Sequence, residues 1–218
     1  MGLLRAALFG ALAWSAGCGS GPDADAPRLA SATCPPRMAH LAPVGACIDR
    51  YEAVIDGEGR AAAAEPAAGR LPSNAVSWPT AERACRNAGF RLCTSREWRY
   101  ACSGSLDAEG GRSYPYGDEA EPARCNVAET STDVELAGRR LAPGGAFERC
   151  VTAEGVHDLS GNVGEWLADA DPTRTLRELR GGSYGSYQAS AGCADTHAFQ
   201  PPDIEYDGVG FRCCADAR

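Results

Sequence analysis

The sequence predicts an irregular α+β domain held by disulfides, with little regular secondary structure and two short helices in its N-terminal half. Three observations predict it. Ten cysteines follow residue 33 in a chain of 218 residues, an even number that in an exported protein reads as a disulfide set. Helical spacing is confined to the stretch from Trp78 to Cys102. The C-terminal half is rich in Gly and Tyr and carries only short strand-like runs, Arg180-Gly-Gly-Ser-Tyr184 and Val209-Gly-Phe-Arg-Cys213. With aromatics at 7%, the core has to rest on something besides large rings, and the cysteines supply it.

The chain divides into a leader over 1–17, a tether over 18–33 and one domain over 34–218. Arg5 gives the leader a positive start, and Ala6 to Trp14 is an apolar run, too short for a spanning helix of ~20 residues. Small residues then precede Cys18. This resembles a bacterial lipoprotein signal in which Cys18 is lipidated; an ordinary secretory signal cut nearby is the alternative. The segment after Cys18 is polar, with Gly and Pro, and has little to bury. An exported protein of the bacterial cell envelope is expected, touching the membrane through a lipid anchor only.

Within the domain, Cys47-Ile-Asp-Arg-Tyr-Glu-Ala-Val-Ile55 fits a strand, and residues 56–73 read as a surface loop. Pro79 suits the first turn of a helix, where its missing N–H has no partner to lose. Ala81, Ala84, Cys85 and Ala88 share one helical face, and Gly89 ends the helix. Phe90-Arg-Leu92 is a short extended link. Thr94-Ser-Arg-Glu97 is a capping box, and Trp98, Ala101 and Cys102 give the second helix its buried side. Cys213 and Cys214 are adjacent; on a strand they face opposite ways and take different partners. No CxxC or CxxH pair occurs, so disulfides are preferred to zinc. The formal charge of −8 argues against nucleic acid, whose phosphates need a basic surface.

Ten pieces in order resemble the sulfatase-modifying factor, or formylglycine-generating enzyme, family. They are Cys47-Ile-Asp-Arg-Tyr-Glu52, Val76-Ser-Trp78, Ala81 to Cys85 and Gly89-Phe-Arg-Leu92, Thr94-Ser-Arg-Glu-Trp98, Ala101-Cys102, Tyr114-Pro-Tyr-Gly117, Cys125-Asn126, Gly155-Val-His-Asp-Leu-Ser-Gly-Asn-Val-Gly-Glu-Trp166, Arg180-Gly-Gly-Ser-Tyr184 and Gly210-Phe-Arg-Cys213. The resemblance spans residues 47–214 and implies a C-type-lectin-like fold. It implies the pairs Cys85–Cys213 and Cys102–Cys193, and leaves Cys34–Cys47, Cys125–Cys150 and Cys93–Cys214 for the remaining cysteines.

The resemblance also implies chemistry. Asp158, Gly161, Val163 and Glu165 match a calcium loop, two carboxylates and two carbonyls being the hard oxygens calcium takes. Read alone, that stretch is an Asx turn with a solvated Glu. Asn126 and Val127 match part of a second calcium set. The family's oxidation of a substrate cysteine uses copper(I), held by two cysteines after the Gly-Gly-Ser-Tyr run. Here Ser186 stands at the first of these and no second is available; Ser183 matches an active-site serine. A hydroxyl is a poor ligand for copper(I), which prefers soft thiolates, so copper is not expected. His40, His157 and His197 show no helical ligand spacing. The sequence thus predicts a domain with no catalytic residue identified, which binds a peptide or glycan. The alternative is a metal-dependent oxidoreductase of the same family.

Overall fold

The computed structural model describes residues 33–63, 69–107, 110–128, 140–194 and 197–218. The leader, Cys18 and the tether as far as residue 32 lie outside the described residues.

The chain opens with an antiparallel pair, β1 (Met38–Leu41) and β2 (Ala46–Asp49). A hairpin of β3 (Ala53–Ile55) and β4 (Ala61–Ala63) follows. This corrects the reading of 56–73 as loop. Alanine has weak strand preference, so the run disguised β4; the hairpin turn is set by Asp56, whose Oδ1 accepts N–H bonds from Glu58 and Arg60 at 2.9 Å each.

Helix α1 (Trp78–Asn87) buries Ala81, Ala84 and Cys85, the positions its spacing predicts. After β5 (Arg91–Leu92) the capping box opens α2 (Ser95–Ser103). Thr94 Oγ1 accepts the Glu97 N–H at 3.3 Å, and Glu97 Oε2 accepts the Thr94 N–H at 2.8 Å. Gly104, in the left-handed region at φ 75°, ends it.

The later strands are β6 (Gly164–Ala170), β7 (Arg177–Arg180), β8 (His197–Gln200), β9 (Val209–Phe211) and β10 (Cys213–Asp216). One sheet runs β1-β2-β10-β5, the other β8-β7-β6-β9. β6 and β9 are parallel, with Trp166 opposite Phe211; the other pairs are antiparallel. The chain therefore passes from the second sheet to the first through a single residue, Arg212. The run from Arg180 to Tyr184 is a strand only at Arg180. Gly181 and Gly182 then take positive φ and turn the chain away.

Five disulfides join Cys34 to Cys47, Cys85 to Cys213, Cys93 to Cys214, Cys102 to Cys193 and Cys125 to Cys150. Alternation along β10 sends Cys213 into the apolar cluster under α1 with Trp166, and Cys214 into the cluster under α2 with Trp98. Both tryptophans are fully buried, and Trp166 donates its indole N–H to the Val76 carbonyl at 2.6 Å.

Candidate functional site

Two places emerge from this frame. The first is the loop entering β6. Asp158 and Asn162 adopt left-handed backbone at φ 59° and 58°, and Gly161, at φ 84°, lies against the chain at Asn126. A Cβ there would sit 2.3 Å from the Asn126 carbonyl oxygen, so only glycine fits. The loop thereby brings Asn126 and Val127 beside residues 158–165. The Asn126 side-chain amide donates to Asn162 Oδ1 at 2.9 Å and to the Arg140 carbonyl at 3.0 Å, and Val127 packs in the apolar cluster around Cys125–Cys150.

Glu165 is neither solvated nor open. It is 0% exposed. Its Oε1 accepts from Arg212 Nη2 at 2.6 Å and Nε at 2.8 Å; its Oε2 accepts from Arg212 Nε and from Trp98 Nε1, both at 2.8 Å. Three N–H groups make these contacts, with the Arg212 Nε–H shared between both oxygens, so each carboxylate oxygen is engaged. Arg212, also 0% exposed, gives two further N–H donors to the Asp49 carbonyl at 2.9 Å and the His157 carbonyl at 2.8 Å.

Asp158 is buried, and its Oδ2 accepts the Gly145 N–H at 2.6 Å. Burial, aided by the nearby Glu165 charge, pushes its carboxyl up to about 7 against the Gly145 hydrogen bond and Arg212. Glu52 is fully buried; its Oε1 accepts the Val163 N–H at 3.0 Å, and Oε2 accepts from Asn162. Burial, then Asp158 and Glu165, hold Glu52 well above the usual carboxylate range. Asp49 has its own cation, Arg37, in a two-pronged pair at 2.6 and 2.5 Å.

Among the described residues no group of three or more His, Cys, Asp or Glu is arranged to hold a metal ion. With both oxygens of Glu165 engaged by N–H donors, the residues present do not fit a calcium cage built on Asp158 and Glu165. Glu52, Asp49 and Arg212 carry no signal of this role in the sequence. Glu52 lies 110 residues from Asn162 and Arg212 lies 47 from Glu165. Only the fold brings them together.

The second place is a cleft of about 410 Å³ beside β7 and β8. Its lining includes Ser183, Ser186 and Ser190, the apolar side chains of Leu179 and Val209, and Tyr206 and Asp207. The serine turn is tight. Ser186 Oγ accepts the Ser183 N–H at 2.9 Å, and the Ser186 N–H returns to the Ser183 carbonyl at 2.9 Å. Ser190 Oγ donates to the Tyr187 carbonyl at 2.9 Å. Asp207 accepts from the Tyr184 hydroxyl and from Asn74, whose Oδ1 accepts the Gly208 N–H at 2.6 Å. Burial and Asp207 push the Tyr184 phenol up to about 12. Tyr206 is 59% exposed. The stretch 200–208 shows no motif in the sequence, so Tyr206 and Asp207 were not foreseen.

All ten cysteines of the described residues sit in disulfides. Cys193, the nearest downstream of the turn, is bridged to Cys102. The turn thus presents hydroxyl oxygens and no thiolate, a donor set that does not fit copper(I).

This architecture is the formylglycine-generating-enzyme and C-type-lectin-like one. The family model described as the sulfatase-modifying factor enzyme 1-like domain matches residues 48–217, and the chain belongs to that family. Relatives include a formylglycine-generating enzyme of Streptomyces coelicolor, 34% identical over 175 residues, covering 65% of this chain and 52% of that protein. Another is the inactive C-alpha-formylglycine-generating enzyme 2 of Mus musculus, 35% identical over 158 residues, covering 67% and 50%. The chain spans about half the length of these relatives. Among solved structures, PvdO from Pseudomonas aeruginosa superposes with TM-score 0.56 at 19% identity, covering 78% of this chain and 80% of that one. The I1 variant of the Major Tropism Determinant gives 0.56 at 14%, covering 85% and 54%. At these identities the likeness is one of fold.

Proposed function

We propose that this protein is an exported lipoprotein, anchored through lipid on Cys18, whose sulfatase-modifying-factor-like domain binds a peptide or glycan instead of oxidising one. One observation carries the reading. At the turn where the family's oxidases place copper ligands, the chain offers Ser183 and Ser186, and each described cysteine is already spent in a disulfide. Function follows the site and not the fold. The cleft has the make-up of a recognition surface: apolar side chains, hydroxyls and a carboxylate at fixed positions, and an exposed ring. The name of the Mus musculus relative records a family member called inactive.

Export is supported by the leader and by five disulfides, which persist in oxidising compartments. Among the described residues no helix is long and apolar enough to cross a membrane.

Glycan and peptide arrays probed with the full chain test the reading. Binding to a defined class that Tyr206→Ala weakens at least tenfold is expected. Binding that Tyr206→Ala and Asp207→Ala leave untouched removes the cleft from the account. The name shared by the Streptomyces relative supports a second reading, a metal-dependent oxidoreductase acting on a peptide or small molecule. Metal-dependent turnover of such a substrate would establish it.

A further inference from the structure

We infer that Arg212 is the built-in cation of the loop from Asp158 to Glu165, so that this domain folds and stays folded without calcium. Glu52, Asp158 and Glu165 are all buried, and Asp49 beside them is neutralised by Arg37. Carboxylates withdrawn from water need a cation or a proton. Arg212 is the fully buried cation among the described residues, and it supplies the charge from inside the chain.

A calcium ion at a loop of this kind gathers oxygens from separate stretches of chain and fixes them to one another. Arg212 performs that task with N–H donors. It grips both oxygens of Glu165 at the start of β6, the Asp49 carbonyl at the end of β2 and the His157 carbonyl at the loop's entry. Because Arg212 is the one residue between β9 and β10, its anchorage also fixes the crossing between the two sheets. Trp98 donates to Glu165 Oε2 and ties α2 to the same point.

The remaining charges are met without a metal. Glu52 receives the Val163 N–H and the Asn162 amide. Asp158 receives the Gly145 N–H. A divalent ion at Glu165 would have to displace a two-pronged guanidinium, whose paired N–H bonds are among the strongest a carboxylate makes.

The test uses the full chain, stripped with chelator, and follows thermal unfolding with and without millimolar calcium chloride. The same melting temperature with chelator and with calcium is expected. A calcium-dependent rise of several degrees in the unmodified chain overturns the inference, as does equilibrium dialysis showing calcium bound near one per chain. Arg212→Met removes the cation while keeping an apolar stem. Its melting temperature is expected to drop by about 10 °C, and calcium is expected to restore part of that loss, since Glu165 then lacks its counter-charge. An Arg212→Met chain as stable as the parent and indifferent to calcium overturns the inference too. If Arg212→Met does not fold, Arg212→Lys decides. A lysine keeps the charge but cannot reach all four acceptors, so an intermediate melting temperature that ignores calcium supports the inference, and one that calcium raises refutes it.

Discussion

Replacing Glu165 by Gln probes the junction on which both sheets and α2 converge. The carboxylate accepts two bonds from Arg212 at Oε1 and one each from Arg212 and Trp98 at Oε2, all between 2.6 and 2.8 Å and all out of water. A glutamine keeps one acceptor oxygen and turns an amide N–H toward donors that have nowhere else to go. Removing one partner of a buried pair costs about 3–5 kcal/mol, chiefly for stranding the other charge. Here the loss belongs at the lower end, about 3 kcal/mol, because Glu52 and Asp158 stand close to Arg212 and can ionise to replace part of the lost charge. For a domain of this size that is a fall in melting temperature of about 6–12 °C. Circular dichroism and indole fluorescence measure it, the latter because Trp98 loses its acceptor. The double variant Glu165→Gln with Arg212→Met is expected to lose less than the sum of the singles, since no unpaired charge is then left inside. A single-variant loss below ~1 kcal/mol, or strict additivity, would show that the pair does not hold this junction.

Four further outcomes follow from the same structure. Replacing both cysteines of Cys102–Cys193, whose loop is shortened to about 30 residues by Cys93–Cys214, is expected to cost about 3.7 kcal/mol against about 3 for Cys34–Cys47, 13 apart, from loop-closure entropy; a larger loss for Cys34–Cys47 in urea titrations would contradict the entropic ranking. Gly161→Ala places a methyl 2.3 Å from the Asn126 oxygen at φ 84° and is expected to cost about 3 kcal/mol or more, whereas an unchanged unfolding midpoint would refute the packing of these two loops. The Tyr184 phenol, raised to about 12 by burial and Asp207, keeps its proton more tightly folded than unfolded. Its contribution to stability is therefore present below about 10 and lost as pH climbs through about 12. Ultraviolet titration is expected to show one late-ionising tyrosine that moves earlier in Asp207→Asn, and a single common transition would argue against it. Processing of the leader is expected to be sensitive to globomycin and to leave a lipid mass on Cys18; a mature protein with neither has no such anchor.

What the sequence made legible was local. Both helices announce themselves through Pro79, the Thr94–Glu97 box and the apolar spacing between them, signals that act within one or two turns of chain. β4 did not, because an alanine run has no alternation to read and its partner β3 supplies the pairing. The serine turn was visible as a motif, but the cleft beside it was not. Tyr206 and Asp207 come from a stretch whose meaning depends on where β9 carries it. The loop at Asp158 shows the limit most clearly. The resemblance sets its oxygens at the four positions of the family's calcium loop, with Gly164 where that loop carries an aromatic residue. Whether they are free depends on Arg212, far along the chain, and no spacing rule links a carboxylate to a guanidinium on another strand. Two disulfide pairs, Cys85–Cys213 and Cys102–Cys193, came from the family likeness and the other three were assigned among the leftover cysteines; composition established only that ten cysteines form an even set.

The most direct test of a binding role is oxygen consumption by the full chain incubated with copper(I) and a cysteine-containing peptide, with the peptide followed by mass spectrometry. The account predicts uptake no faster than copper alone and a peptide of unchanged mass. Copper-dependent uptake that converts the thiol to an aldehyde, turnover after turnover, would contradict it.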